Sequence, residues 1–320
     1  MLINLNEFFS GVQCYLATLV FVVYRRPLEE AMRLLEELTE EVTTELEAVA
    51  SQEFSRRRKK GKWAYYMFFG SFVMVCHWAI RPLLSMAIYG ESSLIVHSWV
   101  PFARDSLIGF FGNYMFQIVP CLSFCLGFCL FASIFVFLSE MLLGHFAMLG
   151  KKLSLMEYGK GPLESKLSNC IDHHTRLLKI CSMFQDITSI PLLTQCIFTV
   201  LALCMAMFEL SDVEGASSGR IISVLAEAQQ ELLFLATYCW YGNEITIQCL
   251  ELMRAGYMSN WYQGTTREKR MLLNIMTRTV RPIYLGGFIK MDMITFINVL
   301  KAAFSYYSFL AVVAAVNAGG

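Results

Sequence analysis

One stretch constrains this chain more than any other: Ser106–Leu143 is apolar almost throughout and carries no charge before Glu140. A helix needs about 20 such residues to cross the hydrocarbon core of a bilayer. At this length the segment is expected to tilt or to run on beyond the lipid. The rest of the chain agrees. Hydrophobic residues make up 56% and charged residues 16%, with a mean hydropathy of +0.50; soluble chains carry roughly 45–50% apolar and about 25% charged residues.

Further spans follow from the same rule. Leu5–Tyr24 qualifies and is stopped by Arg25, Arg26 and Pro27; Trp63–Tyr89 and Ile187–Leu210 qualify, the latter entered through Pro191. Met291–Val316 qualifies despite Lys301. A fifth span has only a short uncharged core, Leu232–Gly242, flanked by Glu227, Glu231 and Glu244. The N-terminal run has Glu7 before it and Arg25-Arg26 after it, the reverse of a signal peptide's flanks. It reads as a span. The fold class expected is all-α, a polytopic membrane protein with six spans.

Charge sets the orientation. Segments 25–62, 148–186 and 254–281 hold 21 of the 26 basic residues, while the opposite connections hold only Arg81, Arg104 and Arg220. The basic loops are expected to be cytoplasmic, which puts both ends of a six-span chain outside. Because chains without a signal more often start inside, a first span is expected to be missing. A net charge of zero gives no nucleic-acid footprint.

The connecting segments carry helical periodicity. Leu28, Ala31, Leu35, Leu38, Val42, Leu46 and Val49 form an apolar stripe among glutamates, and Pro27 suits a first helical turn. Leu163–Phe184 and Lys269–Val280 also read as amphipathic helices, so a stalk below the membrane is expected. Cys121, Cys125 and Cys129 share one helical face with no His or carboxylate to complete a metal site, which favours packing. His173 and His174 are adjacent and point apart on a helix; they too read as packing. No metal or cofactor is expected.

Two stretches carry a resemblance. The first is Tyr238-Cys239-Trp240-Tyr241-Gly242-Asn243-Glu244, followed by Tyr257-Met258-Ser259-Asn260-Trp261-Tyr262. The second runs from Met276-Thr277-Arg278 and Arg281-Pro282 through Gly286-Gly287-Phe288, Thr295-Phe296 and Val299-Leu300-Lys301-Ala302 to Ser305-Tyr306-Tyr307. Their order and spacing resemble the signature of the insect odorant receptor family. Upstream, His173-His174-x-x-Leu177-Leu178 resembles the family's cytoplasmic loop.

The resemblance implies a seven-span fold with its N-terminus inside and its C-terminus outside, of which residues 1–24 look like the second span. It implies a ligand-gated, non-selective cation channel, usually a tetramer with an odorant co-receptor, the last helix of each subunit lining the pore. On that pattern residues 1–250 form a ligand-sensing transmembrane bundle with cytoplasmic helical extensions. Residues 251–320 form the anchor segment and pore helix. A small volatile odorant is expected among the outer halves of the second, third, fourth and sixth helices. Those offer Phe8, Val12 and Tyr15; Ser71, Met74, His77 and Trp78; Tyr114, Gln117 and Ile118; and Phe234 and Tyr238. Apolar, aromatic walls with few polar groups suit such a ligand. Phe309, Val312 and Val313 match where the family narrows its conduit, and an apolar ring gates by dewetting. For each of these residues ordinary packing is the competing reading. Lys301 needs water or a partner, since a Lys at mid-bilayer costs roughly 2.5–3.5 kcal/mol.

Rival readings fit less well. The related gustatory receptors tend to end in a Thr-Tyr-x5-Gln-Phe pattern, absent here. A G-protein-coupled receptor would need the reverse orientation, and no Asp/Glu-Arg-Tyr or Asn-Pro-x-x-Tyr element occurs. A membrane enzyme should show clustered intramembrane carboxylates or a His-Glu-x-x-His helix, and a transporter repeated, broken spans. The short 254–281 loop favours a tuning subunit over the co-receptor.

Overall fold

The computed structural model describes residues 2–45, 47–89, 107–158, 163–211, 218–279 and 283–319. Among them the regular elements are all helical: α1 (Leu2–Val23), α2 (Arg25–Glu45), α3 (Glu47–Tyr89), α4 (Leu107–Ser154), α5 (Leu163–Ser211), α6 (Ser218–Tyr257), a 3₁₀ turn at Trp261–Gln263, α7 (Thr266–Thr279) and α8 (Met293–Gly319). Ile108–Ser154, Leu163–Ser211 and Met293–Val313 are long and apolar enough to cross a bilayer, and Gly11–Val23 adds a shorter apolar helix.

Length organises the molecule. The 48 residues of α4 rise about 70 Å, more than twice the roughly 30 Å of a hydrocarbon core. Helices α3, α5 and α6 are comparably long, so the bundle continues as a stalk built from the same helices. The amphipathic Leu163–Phe184 and the apolar Ile187–Leu210 are therefore one helix, α5. Pro191 lies inside it without ending it. The proline has no N–H to donate, while Thr194 Oγ1 donates to the Ile190 carbonyl at 3.1 Å and Thr188 Oγ1 to the Phe184 carbonyl at 2.8 Å. The short core Leu232–Gly242 likewise sits within the 40-residue α6.

Stalk packing follows the sequence pattern. On α2, Ala31, Leu35, Leu38 and Val42 are buried, with charge on the other face. Arg176 of α5 pairs with Glu41 at 2.8 Å and Lys179 with Glu30 at 2.6 Å. Helix α7 opens with a capping box: Thr265 N–H donates to Glu268 Oε2 at 2.7 Å, and Glu268 N–H to Thr265 Oγ1 at 3.3 Å.

Where stalk meets bundle, three helices interlock through a polar knot. Arg57 of α3 bonds Glu53 at 3.0 Å and lies 3.7 Å from Glu140 of α4, which also accepts from Tyr241 of α6. One turn away Phe135 stands against Phe184 and Tyr238, with ring centroids 5.2 and 4.8 Å apart.

The approach to α8 explains two motif glycines. Gly286 and Gly287 have φ of 101° and 55°, a region costly for residues with a Cβ. Their turn brings Met291 back so that its N–H reaches the Leu285 carbonyl at 3.0 Å. The Met291 carbonyl then presses on Gly242, where a Cβ would meet it at 2.1 Å. Asp292 caps α8 by accepting from Thr295 N–H at 2.7 Å.

Candidate functional site

The expected ligand residues fall into distinct groups. Phe8, Ser71, Met74, His77 and Trp78 lie on the helical backbone of α1 and α3, and their side chains fall outside the described residues. Val12 and Gln117 are half-buried, whereas Tyr15 is exposed. Tyr114 and Ile118 are buried against Ala79 and Leu83 of α3, and the Tyr114 hydroxyl donates to the Ala79 carbonyl at 2.8 Å. Phe234 and Tyr238 belong to the main core instead. Phe234 meets Phe128 edge-on at 4.6 Å, and Tyr238 stands among Phe131, Phe135 and Phe234.

A polar cluster that hydropathy does not reveal joins α1, α5 and α6. Gln13 of α1 donates to Gln195 of α5. The Gln195 amide donates in turn to Glu231 Oε2 of α6 at 2.8 Å and to Thr199 Oγ1 at 3.1 Å, and the Thr199 hydroxyl reaches the same carboxylate oxygen at 3.1 Å. Gln13, Gln195 and Thr199 are buried and Glu231 is half-buried. No cation pairs with Glu231 among the described residues. Seven residues on, and on the same helical face, the fully buried Tyr238 hydroxyl has no hydrogen-bond partner among the described residues. A buried, unmade hydrogen bond costs about 1–3 kcal/mol. The centre of the bundle thus offers an acceptor without a counter-ion and a donor without an acceptor.

Gln13 breaks the apolar run of Leu5–Tyr24, and Gln195 and Thr199 sit four apart in Ile187–Leu210, so each polar residue is legible in the sequence. Their convergence is not, because it joins helices up to 182 residues apart.

Towards the stalk the bundle closes. The void between Val20, Phe131, Phe135, Leu138, Phe184 and Thr188 holds about 10 Å³, room for one water-sized sphere at most. Close packing marks the α1–α4 contact as well: Gly127 abuts Thr18, whose Oγ1 would lie 2.0 Å from an added Cβ. The eleven cysteines are free, with Cys129 of the α4 stripe buried and Cys121 and Cys125 half-buried.

Helix α8 packs on α5 and α6 along one face only. It buries Val299 and Ala303, while Phe309, Val312 and Val313 are 66%, 63% and 39% exposed. Lys301, Ser305, Ser308 and Val312 recur at i, i+4, i+7 and i+11, a single outward file; Lys301, Ser305 and Val312 are exposed and Ser308 half-buried. In the stalk His173 and His174 are buried, and the His173 ring meets His145 edge-on at 5.4 Å.

Comparison with known proteins places this architecture. The family model described as 7tm odorant receptor matches residues 4–304. Odorant receptor 94a of Drosophila melanogaster is 24% identical over 290 residues, 88% of this chain and 73% of that one. Odorant receptor 33b of the same fly is 23% identical over 326 residues, covering 92% and 79%. The match to its putative odorant receptor 69a, isoform A, is 26% identical over 171 residues but spans 52% of this chain and 42% of that one. Among solved structures, the insect olfactory receptor OR5 from Machilis hrabei in complex with eugenol superimposes with a TM-score of 0.85 at 20% identity, covering 94% of this chain and 78% of that one.

Proposed function

Since this chain belongs to the insect odorant receptor family, we propose that it is the odorant-tuning subunit of a ligand-gated, non-selective cation channel that serves the sense of smell. It is a multi-pass membrane receptor, not an enzyme. The reading is carried by the family match across residues 4–304. The tuning subunit works beside an odorant co-receptor in a heterotetramer. Residues 1–250 sense the ligand, and 251–320 anchor and line the pore. The basic segments face the cytoplasm and the C-terminus faces outside.

The ligand is a small volatile molecule held among α1, α3, α4 and α6. The close packing towards the stalk supports a position in the outer half of the bundle, above the Gln13–Gln195–Glu231 cluster, with Phe234 and Tyr238 at its floor. Phe8, Val12, Tyr15, Ser71, Met74, His77, Trp78, Tyr114, Gln117 and Ile118 complete the candidate walls. Exposure of Phe309, Val312 and Val313 supports a pore role, because an apolar residue uncovered in one subunit is covered or wetted in an assembly. Lys301 and the two serines in its file would keep the conduit hydrated on the stalk side.

The test is electrical. The chain is expressed with and without the co-receptor, surface delivery is checked, and odorant panels are applied. Odorant-evoked cation current with the co-receptor is expected. A surface-delivered complex silent to a broad panel and to direct co-receptor agonists would remove the channel reading.

A further inference from the structure

Along α3, exposed side chains form a stripe. Lys59, Lys62, Tyr66, Phe69 and Val73 fall within about 80° of one another at 3.6 residues per turn, and Arg56 lies about 60° further round, beside Lys59. All six are exposed, the three apolar ones by 62%, 54% and 49%. The stripe changes character once, at Lys62, from three cations to an aromatic and aliphatic strip.

The cations make no ion pair among the described residues. Arg57, one step round the helix, turns inward to Glu53 and Glu140. Arg25, Arg176 and Lys179 in the stalk all have carboxylate partners. Among the described residues Arg56, Lys59 and Lys62 have none. A general excess of basic residues on one side of a membrane would account for their number but not for their alignment with an apolar strip.

Dimensions select the occupant. From Lys62 to Val73 the helix rises about 17 Å, about half of a hydrocarbon core roughly 30 Å thick. That is the depth of one leaflet. We propose that this face of α3 binds an anionic phospholipid, its phosphate among Arg56, Lys59 and Lys62 and its acyl chains along Tyr66, Phe69 and Val73. The site uses none of the residues proposed for the odorant pocket or the pore, and the proposal rests only on the chain spanning a membrane.

The experiment reads lipid directly, so its outcome is independent of channel activity. The full chain is purified in detergent with equal amounts of phosphatidylserine and phosphatidylcholine of identical acyl chains, and retained lipid is counted by native mass spectrometry. Phosphatidylserine is expected to be retained in excess. Each basic residue near a phosphate contributes about fivefold, so Arg56→Gln/Lys59→Gln/Lys62→Gln is expected to lose roughly 100-fold. Lys166→Gln/Arg270→Gln, which removes two exposed cations elsewhere, is expected to retain the lipid. Raising salt should weaken retention by the parent chain, since these charges are exposed. Melting temperatures measured without added lipid establish that the variants fold. Equal retention of the two lipids, or undiminished phosphatidylserine on the folded triple variant, would overturn the proposal. So would a photo-crosslinker at Lys59 that captures another protein subunit rather than lipid.

Discussion

Tyr241 donates a 2.9 Å hydrogen bond to Glu140, tying α6 to α4 at the level where α3 delivers Arg57. The aromatic-Cys-x-x-Gly-Asn-Glu motif thereby acquires a mechanical meaning. Its tyrosine holds a carboxylate, and three residues earlier Tyr238 fills the aromatic core. Tyr241→Phe removes the donor and leaves a buried oxygen short of one partner, at a cost of about 1–3 kcal/mol. Glu140→Ala strips Arg57 of an acidic neighbour and is expected to cost more. Detergent-solubilised protein should melt in the order parent, Tyr241→Phe, Glu140→Ala. Equal melting of all three would break the assignment.

Gly242→Ala places a methyl group against the Met291 carbonyl, where an added Cβ would lie at 2.1 Å. Backbone cannot move aside as a side chain can, and overpacking of this kind costs typically about 1–3 kcal/mol. Reduced surface delivery and a lower melting temperature are expected. The control is Gly70→Ala, whose Cβ meets nothing within 4 Å; it should behave as the parent does.

Glu231→Gln keeps the shape of the polar cluster but replaces its carboxyl group with an amide. Surface delivery should hold, while ligands ending in a hydroxyl or amine should shift in potency by about tenfold relative to their ether or hydrocarbon analogues. A parallel shift for all ligands would place Glu231 in gating rather than recognition. Gln195→Leu strands Gln13 and Glu231 together and is expected to destabilise the bundle itself.

The stalk histidines give a pH dependence with a definite sign. Burial, followed by the nearby His145, Lys152 and Arg176, pushes His173 down to about 3. Burial, followed by Arg278, pushes His174 down to about 4. Both rings are therefore neutral in the folded stalk over a range where the unfolded chain, near 6.5, binds protons. Stability is fully present above about pH 6.5 and is lost as the pH falls towards the folded values. Melting temperatures measured from pH 7.5 to 4.5 should fall on the acid side. His173→Asn should flatten that slope, and an unchanged slope would exclude His173 as its source.

If α8 lines a conduit, Val312→Cys should react with a small charged thiol reagent during odorant application and lose current. Ala303→Cys, at a fully buried position, should be protected. The parent receptor, with its eleven native cysteines, sets the background.

Legibility in the sequence followed the range of the interactions involved. The stripe Ala31, Leu35, Leu38 and Val42 is local, so spacing alone located the buried face of α2. Leu232–Gly242 looked too short for a span because Glu231 closed it, and what accommodates that glutamate, Gln195, lies 36 residues upstream. Leu163–Phe184 and Ile187–Leu210 looked like two elements because their environments differ, although one helix passes from one to the other. Gly242 was visible as a motif residue, but its neighbour Met291 was not, since only the turn at Gly286 and Gly287 brings that carbonyl back. Tyr114 and Phe234 are apolar enough for a pocket wall, yet hydropathy cannot tell that they join different clusters.

Helix α4 carries Pro120 between its Leu107 end and Phe135, where one backbone hydrogen bond is missing. Phe135, wedged between α5 and α6, lies about 42 Å from the Leu107 end and about 28 Å from the Ser154 end. A 5° swing about that fulcrum would displace the two tips by roughly 4 and 2.5 Å in opposite directions. Such displacements are of side-chain size, and the longer arm reaches its tip only through the proline, the point at which a helix bends most readily.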